Sequence, residues 1–76
     1  MYKFNSDLFK SWAKEKGFML KLISNFGMIR IVLHDAKETV ISSGAGTCIG
    51  AAIAHCAKEV FRNKENIVCL VFCENI

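Results

Sequence analysis

Residues 42–49 read SSGAGTCI, and this stretch decides the fold because it separates an apolar run that ends at Ile41 from an alanine-rich run that follows Thr47. A glycine-rich bend of this kind either turns a strand into a helix or wraps backbone N–H groups around a phosphate. Neither the GxGxxG pattern nor the Lys-Ser or Lys-Thr ending of a phosphate loop is present. We therefore predict that Gly44 and Gly46 let the chain leave a strand and that Thr47 caps a helix.

An anion-binding alternative stays open for the same stretch. It would use the backbone of Ser43, Gly44, Ala45, Gly46 and Thr47 to hold a phosphate group. The protein would then bind or sequester a small nucleotide.

The residues after Thr47 repeat apolar side chains at spacings of three and four, which indicates an amphipathic helix. The apolar stripe consists of Ile49, Ala52, Ile53, Cys56 and Val60, with Ala57 and Phe61 beside it. The polar run at residues 63–66 ends the helix.

Three strands are predicted before the bend. They are FMLKLIS (18–24), MIRIVLH (28–34) and ETVIS (38–42). Residues 25–27 form a predicted three-residue hairpin turn with Gly27 in the left-handed position, and residues 35–37 form the second turn. Such short connections predict an antiparallel meander.

A helix at residues 7–16 precedes the meander, with Ser6 as its N-cap and Gly17 just past its end. The apolar run IVCLVFC at 67–73 predicts a last strand. The whole chain, residues 1–76, is thus predicted to be one α+β domain in the order α-β-β-β-α-β. Both helices are expected on one face of the sheet, and the last strand beside the first, in strand order 4-1-2-3.

Composition supports a compact domain and excludes several classes. Of the 76 residues 53% are apolar and none is proline, which is too hydrophobic for a disordered tail. No apolar run approaches the roughly 18 residues that a membrane span needs. The segment MYKFNSDLFK has no signal-peptide character, so we expect a cytoplasmic protein and no membrane association.

The four cysteines do not have the spacing of a zinc site. Cys48 and Cys56 are eight residues apart on a predicted helix, and Cys69 and Cys73 are four apart on a predicted strand. We expect reduced, mostly buried thiols, no metal and no cofactor. His34 and His55 lack a partner carboxylate at a suitable spacing, which predicts a protein that is not an enzyme.

The net charge of +3 arises within residues 1–22, which contain five lysines and two carboxylates. Lys3, Lys10 and Lys14, with Asp7, are spaced for one face of the first helix. This face is either simply solvated or binds an acidic partner or a phosphate backbone. These three lysines are the candidate residues for contact with a partner protein or a nucleic acid.

The layout resembles that of double-stranded-RNA-binding domains over residues 6–61. The resemblance rests on LFKSWAKEKG, two strands, ETVISSGAG, and then a helix with Ala52, Cys56, Ala57 and Val60. It implies an α-β-β-β-α fold that binds RNA through lysines in the first turn of the second helix and through the turn between the first two strands. Here residues 47–51 carry no charge and the turn is Asn-Phe-Gly, so any nucleic-acid binding is expected to be weak and salt-dependent.

A second resemblance is to small accessory proteins encoded by phages and other mobile elements. Those proteins share a strand meander that ends in G-x-G-T and an alanine-rich helix such as GAAIAHCAKEVF. The resemblance implies a small binding module that inhibits a host macromolecule, such as a component of host defence. A host protein is therefore the expected partner, with nucleic acid or a small nucleotide as alternatives.

Overall fold

A computed structural model gives the positions of residues 2–62 and 72–75. Within them the chain forms an α+β fold of two helices and five strands. In chain order these are β1 (Tyr2–Phe4), α1 (Ser6–Glu15), β2 (Met19–Asn25), β3 (Met28–His34), β4 (Val40–Gly46), α2 (Ile49–Val60) and β5 (Cys73–Asn75). No helix among these residues is long and apolar enough to cross a membrane.

Strands β2, β3 and β4 form an antiparallel sheet in that order, which confirms the predicted meander. The first hairpin is tighter than predicted, because Asn25 pairs with Met28 and leaves only Phe26 and Gly27 in the turn. Both turn residues have positive φ, 50° for Phe26 and 77° for Gly27, as a type I′ turn requires. The left-handed position of Gly27 is thus confirmed.

The predicted bend at Gly44 and Gly46 is wrong. Strand β4 runs from Val40 to Gly46 instead of covering residues 38–42, and its pairing with β3 continues to the pair Gly46 and Ile29. Neither glycine has positive φ, so neither serves to turn the chain.

The two glycines are needed because α2 packs against the backbone of β4. A Cβ atom on Gly44 would overlap the amide nitrogen of Cys56 and lie 2.5 Å from the carbonyl oxygen of Ala52. A Cβ atom on Gly46 would lie 2.8 Å from the Cβ of Ala51. Only glycine therefore allows this separation between strand and helix.

Both predicted helix N-caps are off by one residue. Helix α2 is capped by Cys48, whose Sγ accepts a long hydrogen bond of 3.5 Å from the Ala51 N–H, and not by Thr47. Because β4 extends to Gly46, the chain turns one residue later than predicted. Helix α1 is capped by Asn5 rather than Ser6, since the Asn5 side chain accepts from the backbone N–H of the second helical residue at 2.9 Å.

The end of α1 follows the prediction. Gly17 has a φ of 78°, its N–H donates to the Lys14 carbonyl at 3.1 Å, and the Phe18 N–H donates to the Ala13 carbonyl at 2.9 Å. These paired bonds define a Schellman motif, in which the residue after glycine makes a hydrophobic contact with the last turn of the helix. The Phe18 ring makes this contact, 5.8 Å from the Trp12 ring centroid.

Both helices lie on the same face of the β2-β3-β4 sheet, as predicted, and enclose the core with it. The buried apolar residues are Phe9 and Ala13 of α1, Ile31 and Leu33 of β3, Ala52, Ile53, Cys56 and Ala57 of α2, and Phe72. At one end of the core Trp12 lies 5.5 Å from Phe9, 5.3 Å from Phe61 and 5.9 Å from Phe72, measured between ring centroids. Aromatic packing therefore joins the two helices to the end of the chain.

Of the predicted last strand at 67–73, residues 67–71 lie outside the described part of the chain. Cys73 begins β5, which pairs antiparallel with β1. Cys73–Asn75 thus pair with the unpredicted strand Tyr2–Phe4. The Asn5 N–H, which donates to the Phe72 carbonyl at 2.7 Å, continues this pairing towards the core. The predicted strand order 4-1-2-3 depends on residues 67–71, which lie outside the described part of the chain.

The contact between β4 and α2 predicts opposite effects for alanine at two glycines. Gly44→Ala should lower the free energy of unfolding by about 3 kcal/mol or more, because the new methyl group meets backbone atoms that cannot rotate away. Gly50→Ala is the matched control, since Gly50 lies in α2 with open space around its Cβ position. This variant should gain about 0.4–1 kcal/mol. Denaturant unfolding of both variants measures the difference, and equal effects would contradict the packing.

Cys56 is predicted to make stability fall at alkaline pH. Its side chain is buried, and Ser42 Oγ lies 3.1 Å from its Sγ and donates to its carbonyl at 3.2 Å. Burial raises the pKa of the Cys56 thiol above its ordinary value of 9.0. The folded state therefore holds this proton after the unfolded chain has lost it, so the free energy of unfolding should fall as pH rises through and above 9.0. Unfolding curves of the native protein and Cys56→Ala across this range test it, because the variant should lack this component of the decline.

Candidate binding surface

The β2-β3-β4 sheet has a second face, opposite the helices, and this face is largely exposed. Side chains alternate between the two faces along a strand, so the β3 residues that alternate with the buried Ile31 and Leu33 point away from the helices. The outward residues form the open face: Met19, Lys21, Ile23 and Asn25 of β2, Met28, Arg30, Val32 and His34 of β3, and Val40, Ser43 and Ala45 of β4. Four of its large apolar side chains are exposed, and the most exposed, Val40, reaches 61%.

A shallow pocket of about 330 Å³ lies within the open face. It is lined by Lys21, Ile23, Val32, His34, Glu38 and Val40. Three lining side chains are aliphatic, and the other three can carry charge. The pocket can therefore hold an apolar group and pair it with a neighbouring ionic group.

The loop between β3 and β4 holds one side of the pocket in place. The Asp35 carboxylate accepts hydrogen bonds from the backbone N–H groups of Lys37 and Thr39, each at 2.9 Å. Nδ1 of His34 lies 2.9 Å from the Asp35 carbonyl oxygen, which can only accept, so this hydrogen bond requires an N–H at Nδ1. Glu38 adopts a left-handed φ of 65° within this loop. Of the three ionisable groups that line the pocket, Glu38 thus lies within this hydrogen-bonded loop, and His34 lies at its start.

Phe26 projects from the tip of the β2-β3 hairpin, at one end of the open face. Its side chain is 97% exposed, and its backbone has a left-handed φ of 50°. The first position of a type I′ turn favours Asn, Asp or Gly, and a bulky residue is strained there. An exposed phenylalanine in this conformation contributes little to the core and lowers the stability of the turn.

The predicted lysine face is only partly assembled. Lys10 and Lys14 are exposed on α1, four residues apart and on one side of the helix. Lys3, in contrast, lies in β1, opposite Glu74 of β5. The predicted alignment of all three lysines on one helix is therefore wrong, because the chain before Asn5 is a strand.

The residues of the predicted anion site also lie differently from the bend that motivated it. Ser43, Gly44, Ala45 and Gly46 form the second half of β4, and Thr47 follows the strand. The backbone N–H of Ala45 donates to Nδ1 of His55 at 3.1 Å. One of the amides proposed to bind a phosphate is thus already bonded to a side chain of α2.

The catalytic candidates in the sequence do not form a pair. The expectation that His55 lacks a partner carboxylate is wrong, because its Nε2 lies 3.7 Å from the carboxylate of Glu59, four residues on in α2. His55 itself lies at the edge of β4, whereas Cys56 is buried against Ser42. In the described ranges 2–62 and 72–75, no group of three or more His, Cys, Asp or Glu side chains could hold a metal ion.

Sequence reasoning missed the open face and Phe26. The available signal was β2, where FMLKLIS has apolar residues in both alternating sets, so that both faces of the strand are apolar. A strand with only one buried face usually has polar residues on the other. No family model, curated protein or solved structure matches this chain.

The strain at the hairpin tip leads to a prediction about stability. Phe26→Asn should raise the free energy of unfolding by about 1 kcal/mol, because asparagine tolerates the left-handed conformation and the exposed ring makes no core contact. Phe26→Leu is the control and should stay within about 0.5 kcal/mol, since leucine is as poorly suited to positive φ. Chemical denaturation measures both, and a loss of stability in Phe26→Asn would show that the ring supports the fold.

Proposed function

We propose that this chain is a non-enzymatic protein-binding module that contacts its partner through Phe26 and the open face. The observation that carries the proposal is Phe26, which combines nearly full exposure with a strained backbone. Strained residues persist where function requires them, and exposed aromatic side chains are frequent anchors of protein interfaces. A turn selected only for stability would have a different residue at this position.

The open face supports the same function. Met19, Ile23, Met28 and Val40 are exposed on one side of a paired sheet, whose backbone needs little further ordering on binding. Clustered exposed apolar side chains of this kind typically mark interaction sites. Charged groups at Lys21 and Arg30 would add specificity.

The resemblance to small phage-encoded proteins makes a host protein the expected partner. In this proposal the module acts in the cytoplasm and inhibits a larger host macromolecule, such as a defence component, by occupying its surface. Such a role needs a rigid surface and no catalytic group. It is consistent with the separation of His55 from the buried Cys56.

Nucleic-acid binding through Lys10 and Lys14 is the second candidate, favoured by their exposure on one side of α1. If two lysines each neutralise one duplex phosphate, the logarithm of the binding constant falls with the logarithm of the salt concentration with a slope of only roughly 1.8. Binding to duplex RNA should therefore be weak at physiological salt. The two candidates use different surfaces of the molecule and can be separated by mutation.

The main test replaces Phe26 with a photo-crosslinking phenylalanine derivative and identifies the covalently attached protein in lysate of the organism that carries the gene or of its host. Affinity for that protein is then measured with purified variants. Phe26→Asn should weaken binding at least about 30-fold, the effect of losing an interface anchor of about 2 kcal/mol, although the variant is expected to fold more stably. The double variant Lys10→Glu, Lys14→Glu should change this affinity little.

The opposite pattern would favour the second candidate. If Lys10→Glu, Lys14→Glu abolishes binding to duplex RNA, and Phe26→Asn leaves binding to every captured protein unchanged, the proposed protein interface is wrong. The same photo-crosslinking phenylalanine derivative placed at position 10 provides the matched control, because α1 lies on the other side of the sheet from the open face.

A further inference from the structure

The charge of the open face indicates which charge the proposed partner protein carries where it binds. This inference rests on the function proposed above. The outward strand positions carry the cations Lys21 and Arg30 and no carboxylate. Arg30 reaches across to β4, where its Nη1 lies 3.5 Å from Ser43 Oγ. The strands therefore present positive charge between exposed apolar side chains.

The lining of the pocket suits an apolar group that has an acidic neighbour. The aliphatic part of its lining comes from all three strands, through Ile23, Val32 and Val40. The basic side chain of Lys21 also lines the pocket. Its volume of about 330 Å³ is at the lower end of the range for ligand pockets, roughly 300–1,000 Å³, and suits a side chain better than a large ligand. A carboxylate next to that side chain would pair with Lys21.

A small free anion fits less well. The Glu38 carboxylate also lines the pocket and would repel an anion that entered alone. A polypeptide can insert a neutral side chain there and direct its carboxylates to Lys21 and Arg30 outside the pocket. We propose that the open face binds an acidic, amphipathic segment of a partner protein, which places one large apolar side chain in the pocket.

The test uses two short synthetic peptides of equal length, in which leucine alternates with glutamate or with lysine. Each is titrated into isotope-labelled protein and followed by amide resonances. The glutamate peptide should cause saturable shifts at Lys21, Val32 and His34 and bind at least tenfold more tightly than the lysine peptide, a difference of about 1.4 kcal/mol. Added salt should reduce this difference.

Lys21→Glu should reverse the preference between the peptides, and Lys21→Gln should reduce it without reversing it. Lys10→Glu is the matched control, because it makes the same change of charge on α1 and should leave the preference intact. Lys21 is exposed, so these variants should fold normally. Equal binding of both peptides, shifts confined to α1, or tighter binding of duplex RNA to the open face would each overturn the inference.

These outcomes are separable from failure of the proposed function. If crosslinking at position 26 and the Phe26→Asn variant identify a protein interface but the peptides show no charge preference, only the acidic partner segment is wrong. If position 26 contacts no protein, the proposed function itself fails, whatever the peptides do.

Discussion

The close approach of α2 to the backbone of β4 is the constraint on which the rest of this structure depends. At Gly44 there is no room for a methyl group between the strand and the backbone at Ala52 and Cys56. The helix facing the strand is accordingly rich in alanine, and the Ser42 hydroxyl bonds to the Cys56 carbonyl across the same contact. Such close packing excludes water from a core that is small, because a chain of this length buries only about 60% of its unfolded surface.

This packing also determines which surface remains for function. Both helices lie on one face of a three-stranded sheet, and α1 reaches the core largely through Phe9, Ala13 and Trp12. With both helices on one side, no helix covers the opposite face, so apolar residues there stabilise the monomer only through contacts between neighbouring strands. Their presence on the open face, together with a strained and exposed Phe26, is therefore better explained by a binding surface than by folding.

The sequence predicted the elements whose signals are local. Alternation identified β2 and β3, helical spacing identified α1 and α2, and Gly17 and Gly27 marked their turns, because each signal depends on neighbouring residues. Gly44 and Gly46 were misread, since glycine required by a distant helix looks the same in the sequence as glycine required by a bend. β1 was missed, and the predicted C-terminal strand overlaps β5 only at Cys73, because three-residue strands from opposite ends of the chain show no periodicity. The open face was visible only as apolar residues in both sets of β2, and the exposure of Phe26 depended on a turn one residue shorter than predicted.

The side chains of the open face suit a surface that binds one segment firmly while tolerating differences in its shape. Met19 and Met28 lie towards its two ends and are unbranched and adaptable, whereas Ile23, Val32 and Val40 near the pocket are branched at Cβ and have few rotamers. A rigid centre loses little entropy when it receives a side chain, and flexible ends can follow a partner's contour. Phe26 adds a second fixed point, because the two-residue turn restricts its backbone. The binding energy would then come mainly from the pocket and the hairpin tip, and Lys21 and Arg30 would determine which apolar segments are accepted.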